Sequence, residues 1–121
     1  MDCFIVDAKR TPIGRSHPEK GAFKDIRADE LLAELIKNLT CALPEDAAID
    51  DVQIGCVGQH LEQGKNIARL SSLLAGLPDT VPGVTINRLC ASSLQAFNFA
   101  ATTIHAGQAD LILAGGVEHM H

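Results

Sequence analysis

A stretch from Val84 to Ile104, VTINRLCASSLQAFNFAATTI, constrains the fold more than any other part of the sequence. Its opening residues, Val84, Thr85 and Ile86, form a β-branched run with the composition of a strand. The run stops at Asn87 and Arg88, and Leu89-Cys90-Ala91-Ser92-Ser93 leads into a helix-like stretch. Strand, tight turn and helix in that order make one corner of a layered α/β structure. A single cysteine, Cys90, stands at the bend. A helix N-terminus offers unpaired N–H groups and a partial positive charge, and both favour a thiolate over a thiol. A cysteine without such help titrates near ~8.5 and is mostly protonated at neutral pH. Cys90 therefore has two readings: an activated nucleophile, or a small apolar residue buried at a helix start.

The remaining segments continue the alternation. Cys3-Phe4-Ile5-Val6 is a compact apolar run that predicts a first strand, buried on both faces and ended by the polar stretch up to Pro12. A polar loop follows over 13–25. The basic residues Lys9, Arg10, Arg15, Lys20, Lys24 and Arg27 cluster around it. They could meet a phosphorylated ligand, but a solvated surface loop is the favoured reading. In the stretch 29–42, Leu31, Leu32, Leu35, Ile36 and Leu39 fall on one helical face. Residues 52–57 predict a second strand. Asn66 is placed to cap a helix through Ile67, Leu70, Leu73 and Leu74, with Gly76 to stop it.

After Cys90, Leu94, Phe97, Ala101 and Ile104 form an apolar stripe widened by Ala96 and Ala100, so this helix is expected to be buried. Gly107 ends it, residues 111–114 predict a fourth strand, and Gly115-Gly116 is expected to break that strand. Strand–helix–strand–helix–strand–helix–strand, with connections long enough for parallel crossovers, predicts an α/β layer fold. Active groups in such sheets gather where strands end and helices begin, which is where Cys90 sits.

Composition narrows the function. The 121 residues suit one domain, 1–121, and 46% apolar content supports a core. The only aromatics are four Phe, so there is no Tyr or Trp platform for stacking bases. With a net charge of −5 this argues against a nucleic-acid partner. No run is long enough for a membrane span, and no basic-then-apolar leader follows Met1. Cys3, Cys41, Cys56 and Cys90 lie far apart with no C-x-x-C pair, which fits a reducing, cytoplasmic compartment rather than zinc or disulfides. Gly115-Gly116 lacks the G-x-G-x-x-G context of nucleotide binding. His119 and His121 could chelate a metal, but two histidines at a chain end are the weaker basis, and no metal is expected. Ser92-Ser93 has no G-x-S-x-G context, and those hydroxyls are expected to satisfy first-turn donors of the helix.

Four segments, VDAKRTPIGRSHPEKGAF, GCVGQHLEQGKNIAR, VTINRLCASSLQAF and LILAGGVEHM, resemble in order and spacing the N-terminal part of a thiolase. HLEQGKNIAR and GGVEHM are most similar to the degradative 3-ketoacyl-CoA thiolases, the β subunits of bacterial fatty-oxidation complexes. The resemblance implies a three-layer α/β/α half-domain with a mixed sheet of order 3-2-4-5-1. This chain would supply strands 1 to 4 and lack strand 5, leaving two pairing edges open and a helix face uncovered. It also implies that Cys90 takes the acyl group from a 3-ketoacyl-CoA and passes it to CoA, its backbone N–H contributing to an oxyanion hole. CoA is then a co-substrate, no separate cofactor is implied, and no CoA-binding residue is assigned. Implied partners are a second copy, paired through strand 84–86, and the α subunit of the oxidation complex.

Ala91 departs from the family, where glycine is commoner next to the cysteine. The resemblance places the family's G-H-P, C-x-G and N-E-A-F segments, which carry its activating histidine, second cysteine and asparagine, in the half that this chain does not match, together with the CoA-holding loop domain. None of the five histidines here sits in a G-H-P context. The chain alone is therefore expected to be inactive. The alternatives are a non-catalytic interaction module, an acetoacetyl-CoA-forming thiolase, or a related condensing enzyme such as a ketoacyl synthase.

Overall fold

The computed structural model describes residues 1–120. Three helices, α1 (Ala28–Thr40), α2 (Ile67–Leu74) and α3 (Ser92–His105), alternate with strands β1 (Asp51–Gly55), β2 (Gly83–Ile86) and β3 (Ile112–Gly116). A single 3₁₀ turn, Leu61–Gln63, precedes α2. The strands are all parallel, in the order β2-β1-β3. That matches the expected neighbours: 84–86 beside 52–57, and 52–57 beside 111–114.

The side chains of β1 alternate between two layers. Val52, Ile54 and Cys56 join Ala28, Leu32 and Ile36 of α1, Ile67 and Ala68 of α2, and Leu113 of β3 in the main core. Fully burying one such Leu or Ile contributes about 1.5–3 kcal/mol. On the opposite face lies α3, the third layer, so close that a Cβ on Gly55 would fall 2.3 Å from the Ser92 carbonyl carbon. Only glycine permits that approach.

Local signals place the helix ends. The Asn66 side chain accepts a hydrogen bond from the Arg69 N–H (3.3 Å), capping α2 as its sequence predicts. The same side chain donates to the Gly83 carbonyl (2.7 Å) and accepts from the Thr85 hydroxyl (2.8 Å), so the cap also fastens α2 to β2. Gly76 and Gly107 follow α2 and α3 at φ of 82° and 74°, the left-handed conformation that ends a helix. Asp50 ties the start of β1 to that of β3, accepting from the Asp110 (2.7 Å) and Leu111 (3.1 Å) N–H groups. Those two bonds hold its carboxyl below the usual range.

Three expectations are corrected. Cys3–Val6 is not a strand, and Phe4, Ile5 and Val6 are 77%, 70% and 74% exposed rather than buried on both faces. A strand needs a neighbour about 4.8 Å away. Here a cavity of about 290 Å³, lined by Phe4, Val6, Leu39, Phe97, Ile104 and Leu113, separates the segment from β3. That gap lies where the order 3-2-4-5-1 puts a further strand. The second correction concerns α3, whose buried stripe is Ser92, Ala96 and Ala100, while Leu94 and Phe97 stand exposed. Small residues win the sheet-facing side because β1 and β3 offer glycines there. The third is that Gly115-Gly116 does not break β3: both residues pair with β1, opposite Ile54 and Gly55.

Candidate active site

Cys90 lies between β2 and α3, two residues before the first residue of the helix. The bend that carries it is tight. Its Leu89 has φ of 48°, a left-handed conformation that non-glycine residues seldom adopt. The Asn87 side-chain oxygen accepts from the Leu89 N–H (3.0 Å). The Leu89 carbonyl accepts from the Ser92 N–H (3.1 Å), and the Arg88 carbonyl from the Ala91 N–H (3.1 Å). Arg88 also reaches along α3 to hydrogen-bond the Gln95 side chain.

The reading of Cys90 as a buried apolar residue does not hold, because it is exposed. It lines a cavity of about 620 Å³ with Gly55, Cys56, Gly116, Glu118 and Ser93. That cavity opens at the carboxyl ends of β1 and β3 and at the N-terminus of α3, the junction where α/β sheets gather reactive groups. Exposed, at a helix N-terminus and beside a cavity, a thiol is placed to attack an electrophile held there. Among the described residues, no histidine lines this cavity.

A second cysteine lines the same space but differs in chemistry. Cys56 is 1% exposed. Burial pushes its thiol up to about 11, and the Glu118 carboxylate adds to the effect. Glu118 also shapes the rim, its two oxygens accepting from the Val57 (2.9 Å) and Gly58 (3.0 Å) N–H groups. Nearby, buried Gln63 donates to the Gly58 carbonyl (2.8 Å) and accepts from the His119 N–H (2.6 Å). Together these side chains hold the loop after β1 against the segment after β3. No local sequence pattern announces either role, since every partner is distant in sequence or is backbone.

The basic cluster does not converge on Cys90. Lys24 pairs with Asp25 (2.7 Å), Arg27 with Asp29 (2.9 Å), and Lys9 donates to the Asn38 carbonyl (2.8 Å). Arg10 and Arg15 line a separate cavity of about 400 Å³ beside Phe23 and Leu35. The ring of His119 hydrogen-bonds the Phe23 carbonyl (2.9 Å), and His121 lies outside the described residues. Ser92 does not serve first-turn donors as expected; its hydroxyl accepts from the upstream Arg88 N–H (2.8 Å) and donates to the Leu89 carbonyl (2.6 Å).

Residues 3–121 match the family model described as thiolase, N-terminal domain. The chain belongs to the thiolase family. This thiolase chain is 55% identical over 118 residues to the 3-ketoacyl-CoA thiolases of Enterobacter sp. (strain 638) and, as FadA, of Escherichia coli (strain K12). Each match covers 96% of the chain and 30% of the relative, so the chain spans under a third of their length. Among solved structures, it superposes on the Bacillus anthracis acetyl-CoA acetyltransferase with a TM-score of 0.76 and 38% identity. That match covers 83% of this thiolase chain and 25% of the Bacillus protein, and gives the two the same α/β fold. No helix among the described residues is long and apolar enough to cross a membrane.

Proposed function

We propose that the chain is the nucleophile-bearing part of a 3-ketoacyl-CoA thiolase, an acyltransferase of fatty-acid β-oxidation. The observation that carries this reading is the exposed Cys90 thiol at the rim of a cavity between two strand ends and a helix start. In this reading the Cys90 sulfur bonds to the keto carbon of a 3-ketoacyl-CoA. The adjoining carbon–carbon bond then breaks, its electron pair leaves with the acetyl-CoA fragment, and a proton completes acetyl-CoA. The acyl group stays on Cys90 as a thioester until the sulfur of a second CoA takes it and frees the cysteine. A thioester suits both halves, being stable enough to form and reactive toward a thiol. The Cys90 N–H supports the oxyanion of each addition.

The proton carriers of this scheme are not assigned to the chain, because no histidine among the described residues lines the Cys90 cavity and none of the five histidines sits in a G-H-P context. CoA is the co-substrate, and no separate cofactor is invoked. Among the described residues β2 pairs only with β1, which leaves an edge for a second copy, and the α subunit of a fatty-oxidation complex is a further partner in this reading. Four free cysteines suit a reducing compartment, and we place the protein in the cytoplasm.

Two experiments test the reading. The pure chain should show no CoA-dependent cleavage of acetoacetyl-CoA or longer 3-ketoacyl-CoA substrates; robust cleavage would overturn the incomplete site. Joined to the part of Escherichia coli FadA that lies beyond the matched region, it should support that cleavage, and Cys90→Ala should abolish it. A folded chimera that is inactive with Cys90 intact refutes the assignment. The interaction-module reading rests on the same β2 edge. It expects the chain to capture a full-length thiolase in a pull-down, and Thr85→Pro to prevent it.

A further inference from the structure

Besides the Asn87 side chain and the backbone bonds of the turn, one hydroxyl spans the bend at Cys90. Ser92 Oγ accepts from the Arg88 N–H at 2.8 Å and donates to the Leu89 carbonyl at 2.6 Å, so it spans the turn that carries the nucleophile. Between those two contacts lies Leu89, at φ of 48°. Leu89 is 68% exposed, so packing of its side chain does little to fix that backbone. Its conformation must be imposed by the hydrogen bonds on its peptide groups, and relaxation toward negative φ would re-aim the next residue, Cys90.

Asn87 holds the Leu89 N–H, and the Arg88 N–H is held by Ser92. Ser92 is 5% exposed, with its backbone against the Gly55 position of β1. The adjacent Ser93 side chain lies against Gly116 of β3 instead. Ala91, at the helix N-cap, has no side-chain oxygen to offer. We propose that Ser92 is a positioning residue for the acyl-transfer nucleophile: its hydroxyl bridges Arg88 and Leu89, completes with Asn87 the hold on left-handed Leu89, and thereby directs the Cys90 thiol into its cavity. This rests on the reading of Cys90 as the nucleophile.

The test has one arm that needs no turnover. In the 121-residue chain, Ser92→Ala should speed amide exchange at Arg88 at least tenfold, while Phe97 and Ala100 within α3 keep their protection. The second arm is a double-mutant cycle in the FadA chimera. With Leu89 present, Ser92→Ala should lower kcat at least tenfold and leave KM within twofold. With Leu89→Gly as the background, the same change should lower kcat less than threefold, because glycine adopts positive φ without help. A purely structural role for Ser92 would not be relieved by a glycine three residues upstream.

Unchanged Arg88 exchange, or an equal loss of kcat in both backgrounds, overturns the proposal. If Ser92→Ala alone does not fold, the double variant decides: folded with near-background kcat it supports the proposal, and unfolded or inactive beside an active Leu89→Gly it refutes it. A chimera inactive with every native residue in place, alongside the expected Arg88 exchange, counts against the thiolase reading and leaves the hold on the bend standing.

Discussion

At the scale of single residues, two cysteines share one cavity in opposite settings. Cys90 is exposed at the helix start, whereas Cys56 is enclosed by the core and faces the Glu118 carboxylate. A thiol raised from 9.0 to about 11 is ionised roughly 100-fold less at a pH below both values. Peptide-resolved alkylation with iodoacetamide at about pH 8 should therefore label Cys3, Cys41 and Cys90 and spare Cys56. Labelling of Cys56 at the pace of the others in folded protein would contradict the enclosure. Its folded-state pKa lies above the unfolded one, so its contribution to stability is complete below about pH 9 and is lost as pH rises through about 11. Cys90 was legible in the sequence because a β-branched run, a turn and a helix frame it. Ser92 was legible only as a helix-start hydroxyl: its bonds run backward to Arg88 and Leu89, and a residue pattern does not show the direction of a hydroxyl.

At the scale of elements, the contact between β1 and α3 decides where the cavity opens. Gly55 meets the Ser92 and Ser93 backbone, and Gly116 meets the Ser93 side chain, so the helix start is seated on two strand ends. Gly55→Ala should destabilise the fold by about 1–3 kcal/mol, the ordinary range for overpacking, with urea denaturation as the measurement. A midpoint equal to wild type would mean that α3 is free to lift from the sheet. Helix ends were the most legible elements, since Asn66, Gly76 and Gly107 act through their own backbone or the next turn. The inward face of α3 was not legible. Apolar periodicity ranks residues by hydrophobicity, but the space between α3 and β1 admits only Ser92, Ala96 and Ala100, and size prevails.

The whole molecule is an α/β/α layer structure with a three-stranded sheet whose two outer strands each have one partner. Beside β3, the apolar run Phe4-Ile5-Val6 lies exposed across a cavity, and Leu94, Phe97 and Phe99 on α3 are also uncovered. Open edges and apolar faces of this kind invite association. The 121-residue chain on its own should sediment as a concentration-dependent mixture of species, and Val6→Lys should shift that mixture toward monomer. A monodisperse, cooperatively melting monomer would overturn this. The first segment was misread because a strand exists only with a neighbour, which no local run of apolar residues reveals.

The strand order also bears on how the chain reaches this form during synthesis. β1 is the centre of the sheet and the first of the three strands to be made, yet both of its partners come later. It gains its first ladder only after α2 has crossed back, and its second only after α3. In the finished fold Val52 and Ile54 pack against α1 and α2, which are both made before β2 and β3. The Cys90 cavity needs β3 in place to be complete, since Gly116 and Glu118 line it.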